Sequence, residues 1–367
     1  MISLKAKPKK KKAYPCVSLD NHIYIAGFGS INKYEDPNGA VGELIALMDG
    51  ERTVEEIANT ISAKYEEITF DMVVEAIADL SQDRIIEDTA FVGSEILSEY
   101  QLERYHRNIN FFSTYATLEQ NKYQYQKKLC EAKVCVVGLG GLGSHIVFDL
   151  AGLGVGTIRA IEFDRVERSN LNRQILYTEA DIGQKKASIA EQRINMFNPS
   201  IHFETLDRQI TSANDAFEAI NGFDYCILVA DRPKTKIALW FNEACVKAGV
   251  TLISGGLEAQ RAMHYTVIPH VTGCIQCWVN QVKKRDPISY AILEERRRLN
   301  LTGDNTAIVP LVSVCTGLML AELVRLITGV KPSNASGKMI SIDFETMTTS
   351  VAETWEKDAN CEVCGRV

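Results

Sequence analysis

The chain has 367 residues, of which 46% are hydrophobic and 24% charged, and its formal net charge is -7. Those values suit a globular protein of two or three domains with a sizeable core. The acidic balance excludes a general nucleic-acid binder, whose surface is basic. No run approaches the 18 continuous apolar residues of a membrane span, and no signal-like apolar core follows the basic N-terminus. The expectation is a cytoplasmic protein with neither nucleic acid nor membrane as partner.

Residues 1–90 are the first expected domain. The run Lys9–Lys12 reads as a solvated tail, with the holding of an acidic partner as the alternative. Ile23–Ile25 and Ser30–Tyr34 read as short strands separated by Gly27 and Gly29. Three short helices follow. Val41, Leu44, Ile45, Leu47 and Met48 mark the first, which Asp49-Gly50 stops. Thr53 with Glu56 forms a capping box for the second, which carries Ile57 and Ile61. Thr69 caps the third, where Phe70, Val73, Val74, Ile77 and Leu80 recur at helical spacing. A strand at Arg84–Ile86 closes a winged-helix-like α+β unit. DNA is a poor partner, because the third helix carries Asp71, Glu75 and Asp79 and no basic residue. An edge strand beside a helix suits a peptide that adds as a further strand. The alternative is a structural cap on the larger domain.

Residues 91–130 read as a helical connector. Residues 131–367 alternate strands and helices, beginning with the apolar strand Lys133–Val137 and continuing through Ile146, Val147 and Leu150 at helical spacing. Thr157–Phe163 and Tyr225–Ala230 are further strands. The fold class is α/β, a Rossmann-like, mostly parallel sheet covered on both faces, with the small α+β domain in front.

The loop Gly138-Leu-Gly140-Gly141-Leu-Gly143 follows a strand and opens a helix, the context of a phosphate-binding turn. Gly138 and Gly140 permit close backbone approach, Gly141 continues the loop, and Gly143 lets the helix pack near the sheet. Helix-start amides then face phosphate oxygens. By itself the loop fits a dinucleotide-dependent oxidoreductase as well as an ATP enzyme. Glu162 stands where a ribose hydroxyl would be met, which also fits both. The polar groups that follow favour ATP: Asn170, Arg173 and Gln174 form one surface, and arginine bridges two phosphate oxygens. Lys186 lies on the next helix and offsets phosphate charge. Asp231, just past a strand end, suits Mg²⁺. Each alone reads as ordinary surface or cap chemistry; their order carries the argument.

Ten cysteines include two CxxC pairs, Cys274 with Cys277 and Cys361 with Cys364. Together they offer the four thiolates of a tetrahedral Zn²⁺ site, with Gly365 easing the turn. Cys16, Cys130, Cys135, Cys226, Cys245 and Cys315 stand singly; Cys135 and Cys226 lie in strand-like runs, where inert buried thiols are expected.

Residues 130–365 resemble the ThiF/MoeB superfamily, the adenylating fold shared with ubiquitin-activating enzymes. The resemblance rests on GxGGxG (Gly138–Gly143), (D/E)xD (Glu162–Asp164), SNLxRQ (Ser169–Gln174) and GQxK (Gly183–Lys186) in that order. It implies ATP, Mg²⁺ and a structural Zn²⁺. Glu162 would meet the ribose, with Asp164 and Gln174 also in the nucleotide site; Asn170, Arg173 and Lys186 would meet the triphosphate, and Asp231 would organise magnesium. Family members more often carry aspartate where Glu162 stands. Arg107, in Arg104-Tyr-His-Arg107, matches an RYxRQ element with Asn108 in place of glutamine. The resemblance implies a homodimer in which Arg107 reaches the partner's ATP site.

The region Leu44–Ile86 resembles leader-peptide recognition domains in the spacing of Asp49-Gly50, Thr53, Glu56-Ile57 and Tyr65. The whole arrangement resembles MccB-like and PaaA-like peptide-modifying enzymes, which implies a ribosomally made precursor peptide as partner. Lys283–Pro310 holds no cysteine and Cys315 begins an apolar helical stretch, so no thioester step is expected. PaaA-like crosslinking of glutamate side chains is the expectation. MccB-like adenylation at a peptide C-terminus, sulfur-carrier adenylation and a noncatalytic peptide-binding scaffold are the alternatives. Lys283, Lys284 and Arg285 read either as a receiver for an acidic peptide or as a solvated loop.

Overall fold

The computed structural model describes residues 2–27, 30–233, 236–299 and 306–365; Gly29 lies outside them. The chain divides into two compact units, Met1–Lys128 and Leu129–Val367.

The first unit contains β1 (Pro8–Lys10), β2 (Cys16–Leu19), β3 (His22–Gly27), β4 (Ser30–Glu35), α1 (Ala40–Leu47), α2 (Val54–Lys64), α3 (Phe70–Gln82), β5 (Ile86–Asp88), α4 (Glu99–Arg104) and α5 (His106–Ser113). Helix α6 (Lys122–Glu131) runs across the division. Thr53 and Glu56 form the reciprocal capping box of α2, with Thr53 N donating to Glu56 Oε2 at 2.8 Å and Glu56 N to Thr53 Oγ1 at 3.2 Å. Thr69 caps α3 by accepting from Met72 N. Apolar residues of these helices close on Ile23, Ile25 and Ile86 in one core. Strands β2, β3 and β4 form an antiparallel sheet in that order, which leaves β4 on an edge.

The lysine run is no tail. β1 pairs with β5, Ala6 is buried, and the first residues are threaded by bonds from Val54 N to Ala6 O and from Gly50 N to Pro8 O. Lys11 is buried and its Nζ donates to Arg84 O at 2.8 Å and Ala116 O at 2.6 Å. The carbonyls that replace its water come from residues far along the chain, a pairing that local charge patterning does not display. The strand expected at Arg84–Ile86 begins at Ile86, because Arg84 turns the chain at a positive φ of 61°.

The second unit contains β6 (Lys133–Val137), α7 (Gly141–Leu153), β7 (Thr157–Ile161), α8 (Lys186–Phe197), β8 (His202–Leu206), α9 (Ala213–Ile220), β9 (Tyr225–Leu228), α10 (Lys236–Ala248), β10 (Thr251–Glu258), β11 (Arg261–Val267), α11 (Ile275–Arg285), α12 (Pro287–Arg298), α13 (Val309–Thr328), β12 (Lys338–Asp343) and β13 (Thr349–Thr354). One sheet runs β13-β12-β11-β10-β9-β6-β7-β8; the strands from β10 to β8 are parallel, and β11, β12 and β13 extend the sheet antiparallel. On β6, Val134 and Val136 face the core under α7, α8 and α13, while Cys135 and Val137 face the core under α9, α10 and α11. Burial on both faces explains the unbroken apolar runs of the central strands.

Among the described residues α13 alone has the length and apolar composition to cross a bilayer. Half of it is buried in this unit, and its Glu322 carboxylate is enclosed, accepting from Asn334 N, Ala335 N and Ser333 Oγ.

Candidate nucleotide site and cysteine cluster

The strands β6, β7 and β9 are neighbours in the parallel sheet, so their C-terminal ends bring three loops together. Gly138 leaves β6 with φ of 96°, and a Cβ there would sit 3.1 Å from the backbone of Ala230. At Gly143 a Cβ would lie 1.8 Å from the Gly138 carbonyl oxygen, so no side chain fits. The close turn sets the first amides of α7 at the sheet edge, where a helix N-terminus favours an anion.

The polar run lies against this loop. A Cβ on Gly140 would stand 3.8 Å from Gln174 Nε2, and one on Gly141 would stand 3.4 Å from Arg173 Cδ. Gln174 is buried, and its Oε1 has no hydrogen-bond partner among the described residues. Arg173 donates through one terminal nitrogen to Ser169 O and Asn172 Oδ1, which steadies the guanidinium at the turn. Asn170 is buried and accepts from Glu167 N through Oδ1, leaving its amide nitrogen as the group available to a ligand.

Glu162 takes on more than the sequence shows. Its carboxylate is buried and accepts three backbone N–H groups, from Leu139 at 2.8 Å and from Phe163 and Asp164 at 2.9 Å each. It therefore braces the glycine loop against the end of β7. The neighbouring Asp164 is exposed and lies 3.6 Å from Lys186 Nζ, while Lys186 N donates to Asp164 O. Lys186 is only 5% exposed, and its ammonium makes no hydrogen bond among the described residues. A buried ammonium with unused donors is costly without an anionic ligand. Asp231 stands exposed just beyond β9, next to the Ala230 that touches Gly138.

The second polar centre is closed. Cys274, Cys277, Cys361 and Cys364 are all buried, and their sulfurs lie within 4.8 Å of one another. The Cys274–Cys277, Cys274–Cys361 and Cys277–Cys364 separations are 3.9, 3.7 and 3.3 Å. Four thiolates about 2.3 Å from one tetrahedral ion would stand about 3.8 Å apart, so the set fits Zn²⁺. Asp358 N donates to Cys277 Sγ at 3.4 Å and Gly365 N to Cys361 O at 2.9 Å, which fold the C-terminal segment around the cluster. Burial pushes the Cys277 thiol up to about 12, a preference for the neutral form that a bound cation reverses.

Cys315 is a core residue: it is buried, its thiol points at the Gly256 and Met263 carbonyls, and burial raises it to about 12. Lys284 and Arg285 pair with Asp358 and Glu353, and Lys283 lies over the Tyr290 ring, so these three brace the C-terminal segment and α12. Arg107 is exposed on α5 in the first unit, whereas the other candidate residues belong to the second. Tyr177, whose hydroxyl donates to Leu139 O, and His145, whose Nε2 lies 3.2 Å from Arg173 O, contact the glycine loop and the polar run and are missing from the sequence reading. Tyr177 sits in the apolar triplet Ile175-Leu-Tyr177, and His145 in a buried helix; both look like packing residues in one dimension.

The ThiF family profile matches residues 105–363, which include the glycine loop, the polar run and all four clustered cysteines. The chain belongs to the ThiF family. Among ThiF-related proteins, the sulfur carrier protein adenylyltransferase of Thermus thermophilus is 30% identical over 271 residues, covering 72% of this chain and 91% of that protein. The sulfur carrier protein ThiS adenylyltransferase of Bacillus subtilis is 31% identical over 207 residues, 56% of each chain. The match to the adenylyltransferase and sulfurtransferase UBA4 of Lodderomyces elongisporus spans 56% of that longer protein. In three dimensions the fold is that of Escherichia coli MccB, solved with ATP, with a TM-score of 0.77 at 22% identity over 98% of this chain and 99% of MccB. It is also that of PaaA, with a TM-score of 0.70 at 23% identity over 94% of this chain and 100% of PaaA.

Proposed function

We propose that this ThiF-family chain is an ATP-dependent enzyme that adenylates a carboxylate of a small protein or peptide, and that its substrate is a ribosomally made peptide activated at its C-terminus. The observation that carries the nucleotide part is the buried ammonium of Lys186, with unused donors, joined through Asp164 and Glu162 to a glycine loop whose Gly140 and Gly141 face Gln174 and Arg173. The peptide part is supported by coverage: a match over 98% of the chain necessarily includes the first unit, and MccB has been solved with MccA. In that unit the edge strand β4 offers backbone groups beside α3, to which Asn32 and Tyr34 are tied through Asp83.

Terminal activation is the better supported chemistry, and the glutamate-crosslinking expectation the weaker. MccB reaches a TM-score of 0.79 over 98% of the chain against 0.70 over 94% for PaaA, and the sequence relatives are sulfur carrier adenylyltransferases.

In the proposed reaction, a substrate carboxylate oxygen attacks the ATP α-phosphorus, the bond to the bridging oxygen breaks, and pyrophosphate leaves. The carboxylate is already a nucleophile, so no general base is needed. Lys186 and Arg173 offset charge on the transferring phosphates, the α7 amides bind phosphate oxygens, and Asn170 and Gln174 orient the chain. Asp231 would hold Mg²⁺, which takes few protein carboxylates and relies on phosphate oxygens and water. Glu162 and Asp164 border the ribose position. Zn²⁺ on the four cysteines would fasten the C-terminal segment and takes no part in the chemistry. Arg107 completing a partner's site in a homodimer, and a cytoplasmic location, belong to the same reading.

The test is mass spectrometry of short peptides encoded beside the gene after incubation with the full chain and Mg-ATP, with pyrophosphate measured in parallel. Pyrophosphate release with addition of a nucleotide mass is expected. Loss of two waters would instead mark crosslinking, and activity confined to a Gly-Gly-ended protein would mark a sulfur-carrier enzyme. Tight ATP binding without turnover on any of these would leave the scaffold.

A further inference from the structure

We infer that Tyr177 is a positioning residue of the nucleotide site, its hydroxyl latching the glycine loop in the conformation that presents the α7 amides to phosphate. The inference rests on the nucleotide reading above.

Leu139, the one large residue between Gly138 and Gly140, is the pinned point. Its side chain is fully buried in the core beneath α7. Its N–H donates to Glu162 Oε2 at 2.8 Å, and its carbonyl accepts from the Tyr177 hydroxyl at 3.0 Å. The peptide planes on both sides of Leu139 are therefore held, and the second of them contains the Gly140 N–H that starts the anion-facing turn. Glycines on either side leave the loop otherwise free to rotate, so side chains must supply the stiffness.

The latch is anchored as well. Arg193 of α8 donates to the carbonyl of Leu176, the residue before Tyr177, and pairs with Asp181 at 2.6 Å. His145, one turn into α7, has Nε2 3.2 Å from the Arg173 carbonyl; a carbonyl only accepts, so the ring donates. The segment carrying Arg173 and Gln174 is thus fastened to α7 at one end and to the loop at the other. Lys186 opens the same α8 that holds Arg193. Burial, then the Glu162 charge, pushes the Tyr177 hydroxyl well above the usual tyrosine range, so it stays a proton donor.

A fixed loop serves ground state and transition state alike, so losing the latch should raise KM for ATP and leave kcat nearly unchanged. The experiment is calorimetric titration of full-length wild type and Tyr177→Phe with Mg-AMPCPP, joined to ATP-dependent kinetics and thermal melts without nucleotide. The expected result is analogue binding about fivefold weaker, a matching rise in KM and a kcat within twofold, from loss of one buried hydrogen bond. Ile158→Val, in the same core but on β7 and outside the loop, α7 and the segment that carries Tyr177, should lower the melting temperature and leave analogue affinity alone. Should Tyr177→Phe fail to fold, Arg193→Lys decides: it keeps a charge for Asp181 but cannot also fork onto Leu176, and about threefold weaker binding is expected. Unchanged affinity in the folded variant overturns the latch alone. Absence of analogue binding by wild type overturns the nucleotide reading and the latch together.

Discussion

Two lysines are each 5% exposed, one in each unit, and they differ in what meets their charge. In the first unit Lys11 donates to two carbonyls, Arg84 O and Ala116 O, and its ammonium is absorbed into the architecture. In the second unit Lys186 has an ion pair at 3.6 Å and no hydrogen bond among the described residues. Burial alone therefore does not mark a functional lysine; the state of its donors does. A satisfied buried cation specifies a fold, whereas an unsatisfied one beside an anion-ready helix start specifies a ligand.

The largest predicted effect tests the second half of that contrast. Lys186→Met should lower peptide-dependent pyrophosphate release by about 10² to 10³-fold, the usual scale for removing a group that meets developing charge. Its melting temperature should stay equal to wild type or rise, because a buried charge is removed; a large fall would make Lys186 a structural residue like Lys11.

Next comes the closed polar centre. Cys364→Ala should abolish stoichiometric zinc, measured by elemental analysis, and lower the melting temperature of the second unit by more than any single hydrogen-bond loss. A chelator should reproduce that loss in wild type. Retention of full stability without metal would make the four thiols packing residues.

A smaller effect is expected at the first lysine. Lys11→Met leaves two carbonyls without their donor, so thermal stability of the first unit should fall, while kcat of the folded enzyme should hold within twofold. Equal loss of activity and stability would erase the contrast.

The smallest effect is a pH dependence. Desolvation pushes Lys11 down to about 8, against 10.5 for an exposed lysine. Below about 8 both folded and unfolded chains hold the proton, and the burial penalty is complete. Between the two values the unfolded chain keeps a proton that the folded chain has lost, so wild-type stability should gain as pH rises. Denaturant titrations from pH 7.5 to 9.5 should show wild type gaining about 2 kcal/mol relative to Lys11→Met. A constant difference would mean that the lysine does not discharge in the folded state.

Legibility in the sequence follows the range of the interactions. The capping boxes, helical spacings and central strands depend on neighbours within a few residues, and Thr53 with Glu56 or Val134 with Val136 appear where periodicity places them. The glycine loop and polar run were readable because each motif is short and their order is specific. What the sequence concealed depends on partners far away. Lys11 looks solvated until Ala116 supplies its acceptor, and the loop-bracing role of Glu162 is invisible until Leu139 is seen donating to it. Tyr177 conceals a polar hydroxyl in an apolar triplet, and only the fold shows that it meets the loop. The start of β5 moved because Arg84 adopts a left-handed turn that its residue type does not announce.

The proposed ATP-consuming carboxylate activation rests on Lys186, buried with unused donors and joined to the glycine loop through Asp164 and Glu162. Its most direct test is peptide-dependent pyrophosphate release by full-length wild type and Lys186→Met, assayed side by side with Mg-ATP. Wild type should release pyrophosphate only with the peptide, and the variant at no more than about one hundredth of that rate. Equal rates in the two proteins, with both folded, would contradict the proposal.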